Sequence, residues 1–229
     1  MRVDGILFDK DGTLFDFGSS WNVWAGRMIG ELAKGDIKVL QAVAQELEFD
    51  LERQEFLPTS FVIAGTNLEV AQAIARAIPG TDVAALEDLL MRSAAQAPLV
   101  PVVPLGPFLD DLANRGLRLG VMTNDTEFSA QAHLKSAGVA EKFDFIAGFD
   151  SGYGAKPDPD PLLAFSTAMD VPPARVAMVG DSTHDLIAGR AAGMQTVAVL
   201  TGVAREEELA PFADVVLPDI GHLEVWLQA

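Results

Sequence analysis

Residues 3–14 decide the fold, and they read Val-Asp-Gly-Ile-Leu-Phe-Asp-Lys-Asp-Gly-Thr-Leu. The first six, Val3–Phe8, form a short apolar run of the kind found in buried strands. The next residues, 9–13, end the strand, because Asp and Gly favour turns. Asp9 and Asp11 are two positions apart on an extended segment, so their side chains start on the same face. We therefore predict a buried strand that ends in a pair of carboxylates.

Further runs of the same texture follow in the second half of the chain. They are Leu117–Met122, Phe143–Ala147, Val176–Val179 and Thr196–Val199, with Asp214–Leu217 as a candidate edge strand. Helical or loop sequence separates each run from the next. Short apolar strands that alternate with helices are typical of a parallel sheet covered on both faces. The sequence therefore predicts an α/β fold with a Rossmann-like parallel sheet.

The stretch from Trp21 to Ala97 has a different pattern. Its apolar residues recur at helical spacing in four successive stretches, and none of these reads as a good strand. Four prolines between residues 98 and 107 then form a stiff connection to the later strands. We expect an α/β core of residues 1–17 and 101–229 with an inserted helical domain of residues 18–100. Hinges are expected at Phe15–Ser20 and Ala97–Pro104.

The composition excludes several classes of function. The 229 residues include 16 Lys and Arg against 33 Asp and Glu, which gives a formal net charge of −17. This balance argues against nucleic acid or an anionic membrane surface as the main partner. Cysteine is absent, which excludes thiolate zinc sites, and the three histidines lack metal-ligand spacing. With no signal peptide and no apolar stretch near the roughly 18 residues of a membrane span, we expect a cytoplasmic protein.

The residues that follow the predicted strands are the candidates for function, because ligands bind outside the carboxyl ends of parallel strands. They are Asp9, Asp11, Gly12 and Thr13, then Thr123, Asn124 and Asp125, then Lys156 and Pro157, and finally Asp181 and Asp185. Taken singly, an acid such as Asp125 is more typical of a turn or a helix cap. Together, convergent carboxylates repel one another unless a cation is bound, and an oxygen-only set suits Mg²⁺.

This set of side chains suits phosphoryl transfer. A carboxylate can attack phosphorus and form an aspartyl-phosphate, which divides one difficult displacement into two easier ones. A second carboxyl group can protonate the leaving oxygen and then deprotonate the water that resolves the intermediate. Mg²⁺ and a lysine can neutralise the phosphoryl oxygens.

These motifs resemble those of the haloacid dehalogenase-like hydrolase superfamily over nearly the whole chain. Asp9-Lys-Asp-Gly-Thr-Leu14 is similar to the first motif, Thr123 to the second, Lys156-Pro157 to the third, and Gly180-Asp181-Ser-Thr-His-Asp185 to the fourth. The helical insertion lies where members of the family carry a helical cap of the first type.

The resemblance implies a role for each matching residue. Asp9 is the nucleophile and Asp11 the general acid and base. Mg²⁺ is bound by the Asp9 side chain, the Asp11 carbonyl and Asp181, with Asp185 close to the metal in a supporting position. The transferring phosphoryl group is bound by Thr123 and Lys156, with help from Asn124.

Two residues of the first motif carry further information. Lys10 occupies a position that is commonly apolar in the family, and we expect its side chain to point away from the Asp9 and Asp11 face. Family members that attack carbon or cleave phosphonates lack the carboxyl group of Asp11. Its presence therefore indicates phosphate-ester chemistry.

The leaving group should be selected by the helical cap. The loop Phe56–Asn67 breaks the helical pattern, and we name Thr59 and Ser60 as candidate substrate contacts, although an ordinary helix connection is an equal alternative. Trp21 and Trp24 are expected to pack within the cap or its hinge.

The chain looks most like the phosphoglycolate phosphatases, through the form of its fourth motif, residues 188–193 and the size of its cap. We therefore expect a small phosphorylated metabolite as substrate and a monomer or homodimer. Two alternatives stay open. One is a phosphosugar mutase of the β-phosphoglucomutase type, and the other is a non-catalytic binding protein on the same fold.

Overall fold

The computed structural model describes residues 2–228. Over this range the chain forms eight strands: β1 (Gly5–Phe8), β2 (Phe49–Asp50), β3 (Glu55–Phe56), β4 (Arg118–Met122), β5 (Phe145–Ala147), β6 (Val176–Gly180), β7 (Gln195–Val199) and β8 (Val215–Leu217). Six of them build one sheet in the order β5-β4-β1-β6-β7-β8, and every neighbouring pair is parallel. In the centre, Leu7 of β1 is level with Gly120 of β4 and Met178 of β6. The predicted parallel sheet of an α/β fold is confirmed.

Ten α-helices accompany the strands within residues 2–228: α1 (Val23–Ala33), α2 (Ile37–Glu46), α3 (Asn67–Ala77), α4 (Val83–Ala94), α5 (Leu105–Asn114), α6 (Glu127–Ser136), α7 (Asp160–Met169), α8 (Thr183–Ala191), α9 (Glu206–Leu209) and α10 (Leu223–Gln228). None of them is both long and apolar enough to cross a membrane.

The side chains of β1 show that helices cover both faces of the sheet. Ile6 and Phe8 belong to an apolar cluster with Leu109 of α5. Leu7, which points to the opposite face, belongs to a second cluster with Phe165 of α7. Because both faces are buried, the strand is apolar at every position.

The helical segment, residues 18–100, has an apolar cluster of its own. Helices α1 to α4 contribute buried side chains to it, among them Trp24, Met28, Val43, Ile74 and Leu90. This cluster is separate from the two that cover the sheet. The helices of the segment therefore bury their apolar faces mainly against one another.

The four stretches of helical spacing form helices α1 to α4, and a short pair of strands lies between α2 and α3. β2 and β3 pair in a short antiparallel ladder with Phe49 opposite Phe56. The two rings pack edge to face with centroids 5.2 Å apart. Each strand is only two residues long, so neither could show an alternating pattern in the sequence.

Two connections join the helical segment to the sheet, and they lie side by side. The N–H of Asp16 donates to the carbonyl of Val100 at 2.8 Å, and the N–H of Val102 donates to the carbonyl of Leu14 at 3.0 Å. Both connections lie within the predicted hinges. Hinge motion itself stays a prediction.

Candidate active site

The acids predicted at the strand ends lie together at the carboxyl edge of the sheet. Asp9 directly follows β1, Asp181 directly follows the neighbouring β6, and Asp185 lies in the first turn of α8. One carboxylate oxygen from each of the three lies within 4.8 Å of the others, and all three residues are buried. The structure therefore brings together three of the four acids predicted to surround a metal.

Local sequence positions Asp185. Ser182 is the N-cap residue of α8, and its hydroxyl and backbone N–H donate to Asp185 Oδ2 at 2.7 and 3.0 Å. This reciprocal arrangement is a capping box, which satisfies backbone donors at the start of the helix. Three glycines leave space for the acids, and one of them is Gly12, where a β-carbon would collide with Asp181. A β-carbon at Gly180 would collide with Asp185, and one at Gly202 would collide with Asp181.

Lys156 is the cation of this group. Its buried Nζ donates to Asp9 Oδ1 and Asp185 Oδ1, each at 2.6 Å, and to the Met122 carbonyl at 2.9 Å. Burial alone would lower the pKa of Lys156, but the two carboxylates outweigh burial and raise that pKa above its ordinary value. Lys156 is therefore charged. When the three acids are ionised, three carboxylates against one ammonium leave two negative charges.

Burial also changes the acids. It raises the pKa of Asp9 to about 7, with Lys156 opposing the shift and Asp185 and Asp11 adding to it. Burial, together with Asp9 and Asp185, raises the pKa of Asp181 well above its ordinary value. Each of these two acids therefore takes up a proton more readily than an exposed aspartate. Protons and a cation compete for the site.

The donor atoms fit a divalent cation. Asp185 uses Oδ1 with Lys156 and Oδ2 with Ser182. In contrast, Asp9 Oδ2 and Asp181 Oδ2 accept no hydrogen bond from any residue that the structure describes. Free carboxylate oxygens at a site with excess negative charge match the oxygen ligation of Mg²⁺. The engagement of Asp185 with Lys156 and Ser182 agrees with a supporting position for this residue.

The position of Lys10 contradicts the expectation that its side chain points away. Its fully buried Nζ lies 2.6 Å from Asp11 Oδ2 and 3.3 Å from Asp125 Oδ2. The chain turns here, since the Lys10 carbonyl accepts from the N–H groups of Leu14 and Phe15 at 3.0 and 3.1 Å. Side chains alternate between faces only along extended backbone, so the rule fails where the turn begins. Asp125 is likewise an ion-pair partner as well as a turn residue.

His133 completes the surroundings of Lys10. Its Nδ1 lies 3.0 Å from Lys10 Nζ, and its Nε2 lies 2.8 Å from the Ala94 carbonyl in the helical segment. A carbonyl only accepts, so we assign the proton to Nε2, and Nδ1 then accepts from Lys10. Burial and the charge of Lys10 lower the pKa of His133, which is consistent with a neutral ring. Asp11 Oδ1 is buried and has no hydrogen-bond partner among the described residues.

Thr123 and Asn124 both follow β4, but only the Thr123 side chain has a hydrogen left to donate among the described contacts. Thr123 Oγ1 accepts from the Asp125 N–H at 3.1 Å, so its hydroxyl hydrogen stays available. Asn124 Nδ2 donates to the carbonyls of Ala64 and Lys156, each at 2.8 Å, and its Oδ1 accepts from the Lys156 N–H at 2.9 Å. Its amide is thus fully used. The Asn124 side chain therefore links the Lys156 loop to the helical segment, and its assistance to phosphate binding stays a prediction.

These residues form the floor of an interior cavity of about 80 Å³. The floor comprises Asp9, Asp11, Thr123, Asn124, Asp125, Lys156, Asp181, Ser182, His184 and Asp185. The roof comes from the helical segment and the residue before it. It comprises Phe17, Trp21, Trp24, Phe56, Val62, Ile63, Ala64, Gly65, Asn67, Val70 and Ala94. The tryptophans expected as packing residues, Trp21 and Trp24, pack edge to face 5.3 Å apart and also line this cavity.

The two residues named for substrate selection lie outside this cavity. Thr59 and Ser60 line an outer cleft, which shares residues 63–65 and Lys156 with the cavity. The hydroxyl of Thr59 donates to Glu48, and that of Ser60 donates to the Leu47 carbonyl at 2.7 Å. The predicted loop does reach the cavity, but through the residues that follow these two. Both hydroxyls bond within the helical segment because they end the turn that precedes the 3₁₀ helix Phe61–Ile63.

The loop after β7 contributes residues that the sequence analysis missed. Thr201 Oγ1 donates to the Gly12 carbonyl at 2.6 Å, and Gly202 leaves space for the Asp181 carboxylate. The sequence could have indicated these residues, because ligands bind beyond the carboxyl ends of parallel strands and this loop follows such a strand. The residues around Lys10 carried no such signal.

Several proteins with established names are similar to this chain in sequence. A phosphoglycolate phosphatase of Rhodospirillum rubrum is 39% identical over 119 residues, which are 52% of this chain and 49% of that protein. The match thus spans about half the length of that relative. An N-acetylmuramic acid 6-phosphate phosphatase of Pseudomonas aeruginosa is 28% identical over 211 residues, which are 91% of this chain and 86% of that protein.

A solved structure shares the fold. CbbY from Rhodobacter sphaeroides, in complex with phosphate, superposes with a TM-score of 0.73 at 22% identity over 96% of each chain. A model of the haloacid dehalogenase-like hydrolase family matches residues 3–193. The predicted resemblance is confirmed, and the named relatives support a phosphatase enzyme. With motifs, fold and family model in agreement, the chain belongs to the haloacid dehalogenase-like hydrolases.

Proposed function

We propose that this protein is a Mg²⁺-dependent phosphatase that hydrolyses a small phosphate monoester through an aspartyl-phosphate on Asp9. The position of Asp9 carries the proposal. Its carboxylate is buried, lies 2.6 Å from the Nζ of Lys156, and shares a cavity with the second acid Asp11. The names of the relatives support the same class of reaction.

Asp9 is the nucleophile in this mechanism. Its carboxylate forms a bond to phosphorus while the bond between phosphorus and the leaving oxygen breaks. Lys156 and the Thr123 hydroxyl stabilise the negative charge of the transferring phosphoryl group. When bound by Asp9, Asp181 and the Asp11 carbonyl, Mg²⁺ supplies further positive charge to the phosphoryl oxygens.

Asp11 is the general acid and base. Lys10 Nζ engages its Oδ2 at 2.6 Å, whereas its Oδ1 is buried without a partner among the described residues. We assign Oδ1 as the atom that gives a proton to the leaving oxygen and later takes one from water. His133 and Asp125 hold Lys10 from the other side.

We propose a division of labour between two domains. Residues 1–17 and 101–229 form the core that carries the chemistry, and residues 18–100 form a cap that excludes water and contacts the leaving group. The separate apolar cluster of the helical segment supports this division. The contacts of Asn124 with Ala64 and of His133 with Ala94 are among those that hinge opening would break.

The two named relatives agree on a phosphate ester and differ in its alcohol. We therefore propose a small phosphorylated metabolite, phosphoglycolate being the first ester to test. The net charge of −17 supports a protein that acts without nucleic acid or a membrane. We further propose a cytoplasmic monomer or homodimer.

The test is release of phosphate from a panel of small esters with Mg²⁺ and with a chelator. Chelator-sensitive release, and recovery of an acid-stable phosphoenzyme after rapid quenching, are the expected results. Isomerisation of a hexose 1-phosphate with little release would instead identify a mutase. Tight binding of an ester without turnover would identify a binding protein.

A further inference from the structure

The roof of the cavity contrasts with its floor in chemistry. Of the eleven roof residues, four are aromatic and five are aliphatic side chains, while Gly65 has none and Asn67 is the one polar side chain. Asn67 Nδ2 is 3.4 Å from the Glu87 carbonyl, so part of its amide is already engaged. The roof is the part of the cavity that faces away from the three acids and therefore receives the alcohol part of an ester.

The roof has no cation for a charged leaving group. Among the cavity-lining residues in the described range, Lys156 is the single Lys or Arg, and two floor carboxylates already engage it. Every Lys and Arg of the helical segment is exposed and absent from the lining. Lys10 is buried beneath the cavity and paired with Asp11 and Asp125.

A carboxylate on the leaving group would be unfavourable in this place. It would lose its water, gain no opposite charge from the roof, and lie close to the negatively charged phosphoryl group of the same ester. An apolar alcohol, by contrast, gains free energy from burial against the aromatic and aliphatic side chains. The second, outer cleft adds the exposed hydroxyl of Thr59 but no Lys or Arg other than Lys156.

We propose that the physiological ester has an uncharged alcohol with an apolar body, and that the roof rejects alcohols that carry a carboxylate. This inference rests on the proposed phosphatase function and names its substrate class. It favours esters other than phosphoglycolate as the best substrate. Within the roof, the Asn67 side chain offers hydrogen bonds to one uncharged polar group of the alcohol.

The decisive comparison uses two esters of nearly the same shape. Isobutyl phosphate replaces the carboxylate of 2-phosphoglycolate by an isopropyl group, atom for atom. We expect kcat/KM to be at least about tenfold higher for isobutyl phosphate, because the carboxylate is desolvated without a partner. Equal or faster hydrolysis of 2-phosphoglycolate would overturn the inference and leave the phosphatase proposal intact. Release from neither ester, nor from others in the panel, would overturn both.

A positive charge placed in the roof tests whether the absence of a cation there causes the preference for an uncharged alcohol. Ile63→Lys adds a cation to a partly buried lining residue, and Leu57→Lys adds the same charge at a side chain that is 42% exposed and outside the lining. We expect Ile63→Lys to shift the ratio of kcat/KM values about tenfold toward 2-phosphoglycolate, and Leu57→Lys to leave it unchanged. An equal shift in both variants would show that overall charge, not the roof, sets the preference. Should Ile63→Lys not fold, the wild-type ester pair alone decides.

Discussion

The floor and the roof enclose the same cavity but are built differently. The floor residues Asp9, Asp181 and Thr123 follow parallel strands. Lys156 donates to Asp9 and Asp185, each at 2.6 Å. Helices and a loop supply the roof residues, and their side chains are almost entirely apolar. The difference teaches that strand ends position charged groups, whereas an apolar surface on a separate segment can select an alcohol without disturbing those groups. Substitutions in the floor should therefore lower kcat, whereas substitutions in the roof should mainly change KM.

The largest effect is expected on the floor, at Asp9. Asp9→Asn keeps the shape of the side chain but removes the nucleophile, so kcat should fall by at least about 1000-fold. The melting temperature should not fall, because a buried acid with a raised pKa is replaced by a neutral group. Phosphate release and circular dichroism check both statements. A variant that keeps a tenth of the activity would contradict the assignment of the nucleophile.

The next effect is expected at Lys10, which orients the floor acid Asp11. Lys10→Met should lower kcat about 10- to 100-fold for an alkyl phosphate, whose leaving oxygen needs a proton. The loss should be smaller for p-nitrophenyl phosphate, whose phenolate leaves unprotonated. Lys135→Met, at an exposed lysine of α6, is the control. An equal loss on both esters would mean that Lys10 merely supports the fold.

Protons and metal should act against each other on the floor. The pKa of Asp9 in the folded state, about 7, lies above its ordinary value. At pH values between these two pKa values, the folded state therefore binds more protons than the unfolded state. The stability of the metal-free protein should therefore fall as pH rises from about 4 to about 7. Mg²⁺ should raise the melting temperature by more at about pH 8 than at about pH 5.5, where protons compete.

Thermal unfolding with and without Mg²⁺ at the two pH values measures this effect. Asp181→Asn is the matched variant, since it removes a carboxylate with a free oxygen from the same group. The rise in the melting temperature of this variant on addition of Mg²⁺ should be much smaller at both pH values. A gain that is independent of pH in the wild-type protein would show that these acids do not bind the cation.

The smallest effects are expected on the roof side. Asn67→Ala removes the polar side chain of the roof and should raise KM about 2- to 10-fold with little change in kcat. Thr59→Ala, in the outer cleft, should change either constant less than about twofold, because its hydroxyl bonds to Glu48. Steady-state kinetics with one well-hydrolysed ester distinguishes the Asn67→Ala variant from the Thr59→Ala variant. A large fall in kcat for Asn67→Ala would place that residue nearer the chemistry than the structure does.

The fold and the floor could be predicted from the sequence because both follow local rules. Strands buried on both faces are apolar at every position, as Gly5–Phe8 shows, and parallel strands end at one edge. Asp185 is positioned by a four-residue capping box that the sequence displays. Such features depend on neighbours in the chain.

The rest depends on contacts between distant residues. Lys10 meets His133 across 123 positions, and Asn124 meets Ala64 across 60. Neither contact leaves a periodic signal, so the direction of Lys10 was predicted wrongly and the engagement of the Asn124 side chain was not predicted. In the roof, residues 62–65 line the cavity while Thr59 and Ser60 do not, because a short 3₁₀ helix turns the loop between them.

The space kept by Gly180 and Gly202 has a consequence for the tolerance of this chain to mutation. A methyl group at either position would displace a carboxylate of the acidic group. In a survey of all single substitutions, both positions should appear as intolerant as the acids themselves, although neither can react with a substrate. Intolerance at such positions would measure the space that the three buried acids need.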